Sequence, residues 1–422
     1  MAPNGPTEAE IAHDLHASMH DTETDNARFL QAQIALAREE RDNTGAGATV
    51  AAPAPGSVPP PAPVAGQGIS RKGDTVTVTS RALVMEVLKN TGGDYSVHGY
   101  NERASQCIGA IYLGLDAGAQ YDAEATAVNA AIETISAEAG FATALELGRG
   151  ALGQGQTPGT ALGTVLTGTC NAWFGIPDGT HVVPGGVRLD VDPPPRCPGD
   201  YNFPSAFIFY PNPPSTLSAI AKGQGLHLRA AATAYVTQVR ASGAPPNGPL
   251  AQAVFANCEG DDDLTARTLI GVMMGMIPTV LINMGTVLKT WESNDNAKYK
   301  ELALALHAHG GPTSYERARS VLTAPMVQAI QPTPQPPAVW RTAVRDHTLG
   351  GMAVKTGDKI IVSIMGACHE DLAAGRVDLS PMFGGDRSEA DPPLHACPGF
   401  PAAMGFMLGF INAVLEPQPA TT

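Results

Sequence analysis

Positive charge is in short supply. Lys and Arg total 26 against 40 Asp and Glu, a formal net charge of -14. An acidic surface repels phosphate backbones and anionic headgroups, which argues against nucleic acid or an anionic membrane as the main partner. Cysteine is scarce as well: Cys107, Cys170, Cys197, Cys258, Cys368 and Cys397 are all there is. No CxxC pair and no His/Cys spacing for zinc is present, so neither a zinc site nor a disulfide framework is expected. Reduced, mostly buried thiols in a cytoplasmic protein are the expectation. The first residues, MAPNGPTEAE, lack a basic stretch leading into an apolar one, so no secretory signal is expected. No internal repeat is seen.

What is present is enough apolar material for a large core. Hydrophobic residues make up 43 % of 422, which suits one large enzyme domain or two smaller ones. One run, Leu269 to Leu288, reaches membrane-spanning length. Pro278, Thr279 and Asn283 interrupt it, and the acidic cap Asp261 to Asp263 precedes it. A central helix that is apolar all round and buried in a large domain explains it better than a membrane span.

The chain divides by composition. Residues 1–45 are polar with helical spacing at Ile11, Leu15 and Met19. Residues 46–68, AGATVAAPAPGSVPPPAPVAGQG within them, form a Pro/Ala/Gly linker. The N-terminal piece is therefore either a disordered extension or a helix on a tether that docks a protein partner. Residues 69–422 are read as the main domain. It opens with an alternating strand, Thr75 to Ser80. Helical stretches follow over Arg81–Leu88, Asp122–Ala139 and Ala151–Trp173. Pro177 to Pro214 reads as irregular. Helices resume at Leu217–Ser242, Leu250–Asn257, Leu264–Leu288, Ala297–His309 and Ser314–Ile330. Strand-like runs appear at Val339–Val344, Met352–Val354 and Lys359–Ile364, and Gly399–Leu415 closes the chain as a helix. The fold class expected is mainly α with a small β part.

The segment FGGDRSEADPPLHACPGFPAAMG, Phe383 to Gly405, carries chemistry. Cys397 sits in a Gly/Pro-rich loop and an apolar helix begins directly after it. A thiol must be ionised to bind a metal. The free N–H groups and positive end of the following helix stabilise the sulfur charge. Gly399 lets the backbone pass close to a flat macrocycle. A thiolate ligand pushes electron density onto iron and favours O–O cleavage. The plainer alternative is a buried thiol at a helix start. Cys197 also precedes Pro-Gly, but no apolar helix follows it, and it is read as structural or incidental.

Phe383, Gly384, His395, Cys397 and Gly399 together resemble the haem loop of the cytochrome P-450 superfamily, with Ala403 where that family has a small residue against the haem. The residues between Gly385 and His395 exceed the common spacing. In this the chain is similar to the hydroperoxide-processing branch, the allene oxide synthases and the haem domains of linoleate diol synthases. The stretches Tyr95 to Tyr100, Leu113 to Asp116 and Trp173 to Asp178 are similar to the diol-synthase type. The resemblance covers roughly Gly73 to Glu416. It implies a cytochrome P-450-like fold, haem b (iron protoporphyrin IX) as cofactor, Cys397 as the metal ligand, and Arg341 and His395 on the haem propionates.

Three departures qualify it. The family's Glu-x-x-Arg pair falls on Met326 and Ala329, and the correctly spaced Glu316 and Arg319 come too early and read as an exposed helix pair. In the long apolar helix, Pro278 stands where oxygen-activating members carry an acid, beside Thr279; proline also removes a backbone donor. The helix after Asp116 is acidic where a basic propionate ligand is usual. Without the acid, proton delivery to bound dioxygen is impaired. The haem loop, with Asp386, Glu389 and Asp391 against Arg387, disfavours an acidic redox partner. The first expectation is therefore an enzyme that uses a peroxide or lipid hydroperoxide on an apolar, fatty-acid-like substrate. Met273, Met274, Ile277, Thr279 and Val280 would line its pocket, and Asn283 would hydrogen-bond an oxygen. The alternatives are a dioxygen-dependent monooxygenase with an atypical proton relay, or a non-catalytic haem sensor or scaffold.

Overall fold

The computed structural model describes residues 68–175, 201–213, 215–292, 296–308, 313–389 and 392–416. The N-terminal extension, nearly all of the linker and Cys197 lie outside the described residues. A β-rich layer opens the domain: β1 (Ile69–Lys72), β2 (Thr75–Val78), α1 (Arg81–Lys89), β3 (Tyr95–Ser96) and α2 (His98–Ala104). Helices then dominate: α3 (Ala119–Glu124), α4 (Thr126–Glu133), α5 (Ala137–Gly153), α6 (Pro158–Phe174), α7 (Asn202–Phe209), α8 (Ser215–Ser242), α9 (Pro249–Asn257), α10 (Asp262–Glu292), α11 (Ala297–His307) and α12 (Tyr315–Ile330). The chain returns through β4 (Val339–Ala343), β5 (His347–Leu349), β6 (Met352–Val354), β7 (Lys359–Val362) and α13 (Ile364–Ala373), and ends in α14 (Phe400–Leu415).

The sheet runs β1-β2-β7-β4-β3, with β2 and β7 parallel and the other neighbours antiparallel. Strands from the two ends of the domain thus pair. β5 and β6 form a separate hairpin. Alternation in β2 and β7 buries Val76, Val78, Ile360 and Val362 under α1.

The helical layer is organised around α10, which packs on α6, α8 and α12. By length and composition α10 could cross a membrane, but 72 % of its apolar window is buried inside the protein. It is the central helix that its all-round apolar sequence predicts. Helices α5 and α14 lie in backbone contact. A Cβ on Gly405 would fall 1.8 Å from the Ala137 carbonyl oxygen, and one on Gly409 2.2 Å from that of Phe141. Only glycine permits this approach.

Several expected boundaries move. The stretch Asp122–Ala139 is broken into α3, α4 and the start of α5. The run Ala151–Trp173 is interrupted where Gly155 takes a φ of +81°, after which the Thr157 hydroxyl caps the amide of Thr160 and Pro158 starts α6. The Pro-rich stretch holds a helix, α7. Beyond β7, Ser363 caps a helix, accepting from the Gly366 amide, where strand was expected to continue.

The missing Glu-x-x-Arg pair has a visible substitute. Met326 and Ala329 are buried apolar residues. Fully buried Gln331, just past α12, donates instead to the carbonyls of Arg376 (2.9 Å) and Asp378 (3.1 Å). Buried Asp371 ties the same segment through Arg81 and Arg376. Glu316 and Arg319 form the expected exposed pair at 3.8 Å.

Candidate active site

Cys397 ends the loop that leads into α14. Its amide donates to the Phe383 carbonyl (2.7 Å), and the Phe383 ring stacks on Phe400 at 4.2 Å. Gly384 turns the chain with a φ of +74°. The loop is therefore closed on itself, and Cys397 borders a cavity together with Phe383, Gly399 and Ala403. Burial pushes the Cys397 thiol up to about 11, against the Gly399 amide hydrogen bond and the Arg387 charge, which pull it down. Residues 386–389 do not border the cavity; Arg387 pairs there with Glu133 and Glu389 with Lys89.

Arg341 comes from β4 and is 7 % exposed. Its Nη1 donates to the Tyr100 hydroxyl (2.6 Å) and to the Trp340 carbonyl (2.8 Å). The Tyr100 hydroxyl in turn donates to the Trp340 carbonyl at 2.9 Å. Among the described residues no carboxylate pairs with Arg341. His395 borders the same cavity, edge-on to Tyr121 at 5.8 Å. Burial, then the Arg341 charge, lower its imidazole to about 4, with Asp116 opposing.

Another part of the wall belongs to α10, which runs unbroken through Pro278. Met274, Gly275, Pro278, Thr279 and Val280 reach the cavity. Met273 and Ile277, expected there, are instead fully buried in the core. They lie four apart, on another face of the helix, and Met273 sulfur accepts from Tyr201 at 3.4 Å. The Thr279 hydroxyl donates within its own helix, 3.0 Å from the carbonyls of both Gly275 and Met276. Asn283 borders the cavity, but its amide is engaged. Nδ2 donates to Thr279 (2.8 Å) and Gln335 (2.9 Å) carbonyls, and Oδ1 accepts from the Gln335 amide (3.0 Å). With both N–H groups used, it has none left for a substrate oxygen; it fastens α10 to the chain before β4. Among the described residues no Asp, Glu or Lys borders the cavity.

No family model and no curated protein matches the sequence. Solved structures do. A mutant of P450 EryK in complex with erythromycin B aligns at 15 % identity and TM-score 0.57, over 83 % of this chain and 84 % of that one. A zebra fish cytochrome P450 with progesterone aligns at 15 % and 0.59, over 82 % and 88 %. Cytochrome P450SP alpha in complex with (R)-ibuprophen aligns at 15 % and 0.56, over 81 % and 83 %.

The fold is that of the cytochromes P450.

Within this P450 fold the residues fit a haem. Among the described residues no group of three or more His, Cys, Asp or Glu is placed to hold a metal ion. A metal on Cys397 would have to arrive with its own ligands, as in a macrocycle. A thiol held up at about 11 ionises only beside a strong positive charge, which iron would supply. The buried Arg341 guanidinium, with His395 nearby, matches the carboxylates of such a macrocycle. Sequence reasoning missed Tyr100, which presents Arg341, and Gln335, whose backbone Asn283 holds and whose Oε1 accepts from Tyr210 at 2.8 Å. Tyr100 lies in a stretch already singled out by resemblance. Gln335 had no signal, because its partners are 52 and 125 positions away.

Proposed function

We propose that this protein is a haem-thiolate enzyme that transforms an apolar, fatty-acid-like small molecule using a peroxide or organic hydroperoxide. Cys397 would ligate the iron of haem b, Arg341 and His395 would hold its propionates, and Phe383, Gly399 and Ala403 would border the ring. When bound, the haem supplies the O–O bond cleavage that a thiolate ligand promotes. The Gly399 amide supports the ionised sulfur. Tyr100 fixes the direction of Arg341. The apolar wall from α10 receives the substrate and keeps water out.

The observation that carries the peroxide reading is the missing acid. Among the described residues no carboxylate borders the cavity, Pro278 stands where a proton-delivering acid is needed, and the Thr279 hydroxyl donates to its own helix. A peroxide already contains the O–O bond and its protons. In the peroxygenase form a substrate C–H loses two electrons to the peroxide, one oxygen enters the new C–O bond and the other leaves as water from hydrogen peroxide or as an alcohol from an organic hydroperoxide. In the isomerase or dehydratase form the substrate hydroperoxide is its own oxidant.

Thr279 does face the cavity, which keeps a dioxygen-dependent monooxygenase as the second reading. The experiment supplies the haem-loaded protein with either hydrogen peroxide or a fatty-acid hydroperoxide and no reductant, or with NADPH, a reductase system and ¹⁸O-labelled dioxygen. Turnover in the first arm supports the proposal. Turnover confined to the second arm, with label in the product, overturns it in favour of the monooxygenase. No turnover in either arm, with haem bound, favours a sensor.

A further inference from the structure

Helix α7 brings two polar side chains to the cavity wall, Asn202 and Ser205. They are three apart and so share one helix face. Asn202 is 3 % exposed and Ser205 9 %. The Asn202 Oδ1 has no hydrogen-bond partner among the described residues. A buried carbonyl without a partner is a standing cost to the fold, and native structures keep such groups rarely.

The helix that carries this amide is held in place at its far end. Arg103 lies over the Trp340 ring at 4.4 Å and donates to the carbonyls of Phe207 (3.1 Å), Tyr210 and Pro211 (2.8 Å). Lys359 also donates to the Pro211 carbonyl. The Tyr210 hydroxyl reaches Gln335. Asn202 thus borders the cavity at the start of a helix whose other end is pinned, and turning its side chain is enough to bring its amide to a ligand group.

The rest of the cavity says what that group is. Its one cationic side chain, among the described residues, is Arg341, since His395 is held neutral at about 4, and on the haem reading Arg341 serves the propionates. A free carboxylate would enter without a counter-ion, which is costly in an apolar site. A hydroxyl meets the chemistry on offer: it donates to the Asn202 carbonyl and accepts from the Ser205 hydroxyl.

We infer that Asn202 and Ser205 anchor a neutral hydroxyl-bearing end of an otherwise apolar substrate, and that a free carboxylic acid is not the preferred form. This rests on the haem-thiolate reading for the other end of the cavity.

The test is calorimetric titration of the full-length, haem-loaded protein with decan-1-ol, its methyl ether and decanoate. In the wild type the alcohol binds at least tenfold more tightly than the ether, equivalent to ~1.4 kcal/mol, and more tightly than decanoate. In Asn202→Leu the alcohol falls to the affinity of the ether, the ether is unchanged, and Tm does not drop, because no hydrogen bond within the protein is lost. Ser205→Ala narrows the alcohol-to-ether ratio in part. Equal binding of alcohol and ether by the wild type, or tighter binding of decanoate, overturns the inference, even where Asn202→Leu does not fold. A missing thiolate absorption band would sink the haem reading instead, whereas the alcohol-to-ether ratio bears on the anchor.

Discussion

Replacing Gly405 by alanine sets two effects of known size against each other. In a helix interior Gly→Ala is worth up to ~1 kcal/mol in favour of the variant. At Gly405, however, the new Cβ lies 1.8 Å from the Ala137 carbonyl oxygen and 2.6 Å from its carbon. These are backbone atoms of α5 and cannot rotate away, so the two helices must part by about 1 Å, and a gap of that size forfeits a quarter to a half of each contact's dispersion energy. The contacts at risk are those of Phe141, Ala144, Phe406 and Phe410. Overpacking of this kind costs roughly 1–3 kcal/mol, here at the upper end, so Gly405→Ala is expected to lose about 2 kcal/mol net. Gly163 in α6 is the control, since a Cβ there meets nothing within 4 Å, and Gly163→Ala should gain stability. Urea denaturation of both variants gives the two signs. Cys397 lies three residues before the start of α14, so Gly405→Ala should also disturb the carbon monoxide spectrum of the haem-loaded protein. If Gly405→Ala is as stable as Gly163→Ala, the close approach of α5 and α14 is wrong.

Further outcomes are expected elsewhere. Arg341→Leu removes charge-assisted bonds worth roughly 1.5–3 kcal/mol, so haem transfer to an acceptor protein should be about ten- to a hundredfold faster; an unchanged rate would remove Arg341 from the propionates. Gln331→Leu leaves the Arg376 and Asp378 carbonyls without these part-buried hydrogen bonds and should cost about 1 kcal/mol in urea denaturation, against no change if the segment at residues 376–378 is braced elsewhere. The Asp346 carboxylate is held down to about 2, first by Lys355 and then by the Thr356 amide and hydroxyl. Its folded value lies below the ordinary 3.8, so its stabilising contribution is present above about pH 4 and fades as pH falls towards 2. NMR titration should place its midpoint near 2, and Asp346→Asn should differ from wild type above that window and converge with it below.

The chain by itself determined a good deal. The cavity-bordering Cys397 loop was legible because its parts are local: Phe383, Gly384, His395, Cys397 and Gly399 sit within one stretch, and an apolar helix follows. The central helix was legible because α10 is apolar on every face, which a buried core position tolerates. Proline at 278 and the absence of a Glu-x-x-Arg pair were equally plain, since reading them needs no coordinates. Other features only the tertiary structure decided. Asn283 looked available for an oxygen until the Gln335 backbone, 52 positions on, took up its amide. Met273 and Ile277 were indistinguishable from true lining residues because α10 offers no polar face to set its phase. The brace through Gln331 and the pinned α7 depend on partners far along the chain, at Arg376 and Asp378 for one and at Arg103 and Lys359 for the other. Local pattern encodes which backbone forms and which residues are apolar; which buried polar groups find partners, and which are left for a ligand, depends on long-range packing.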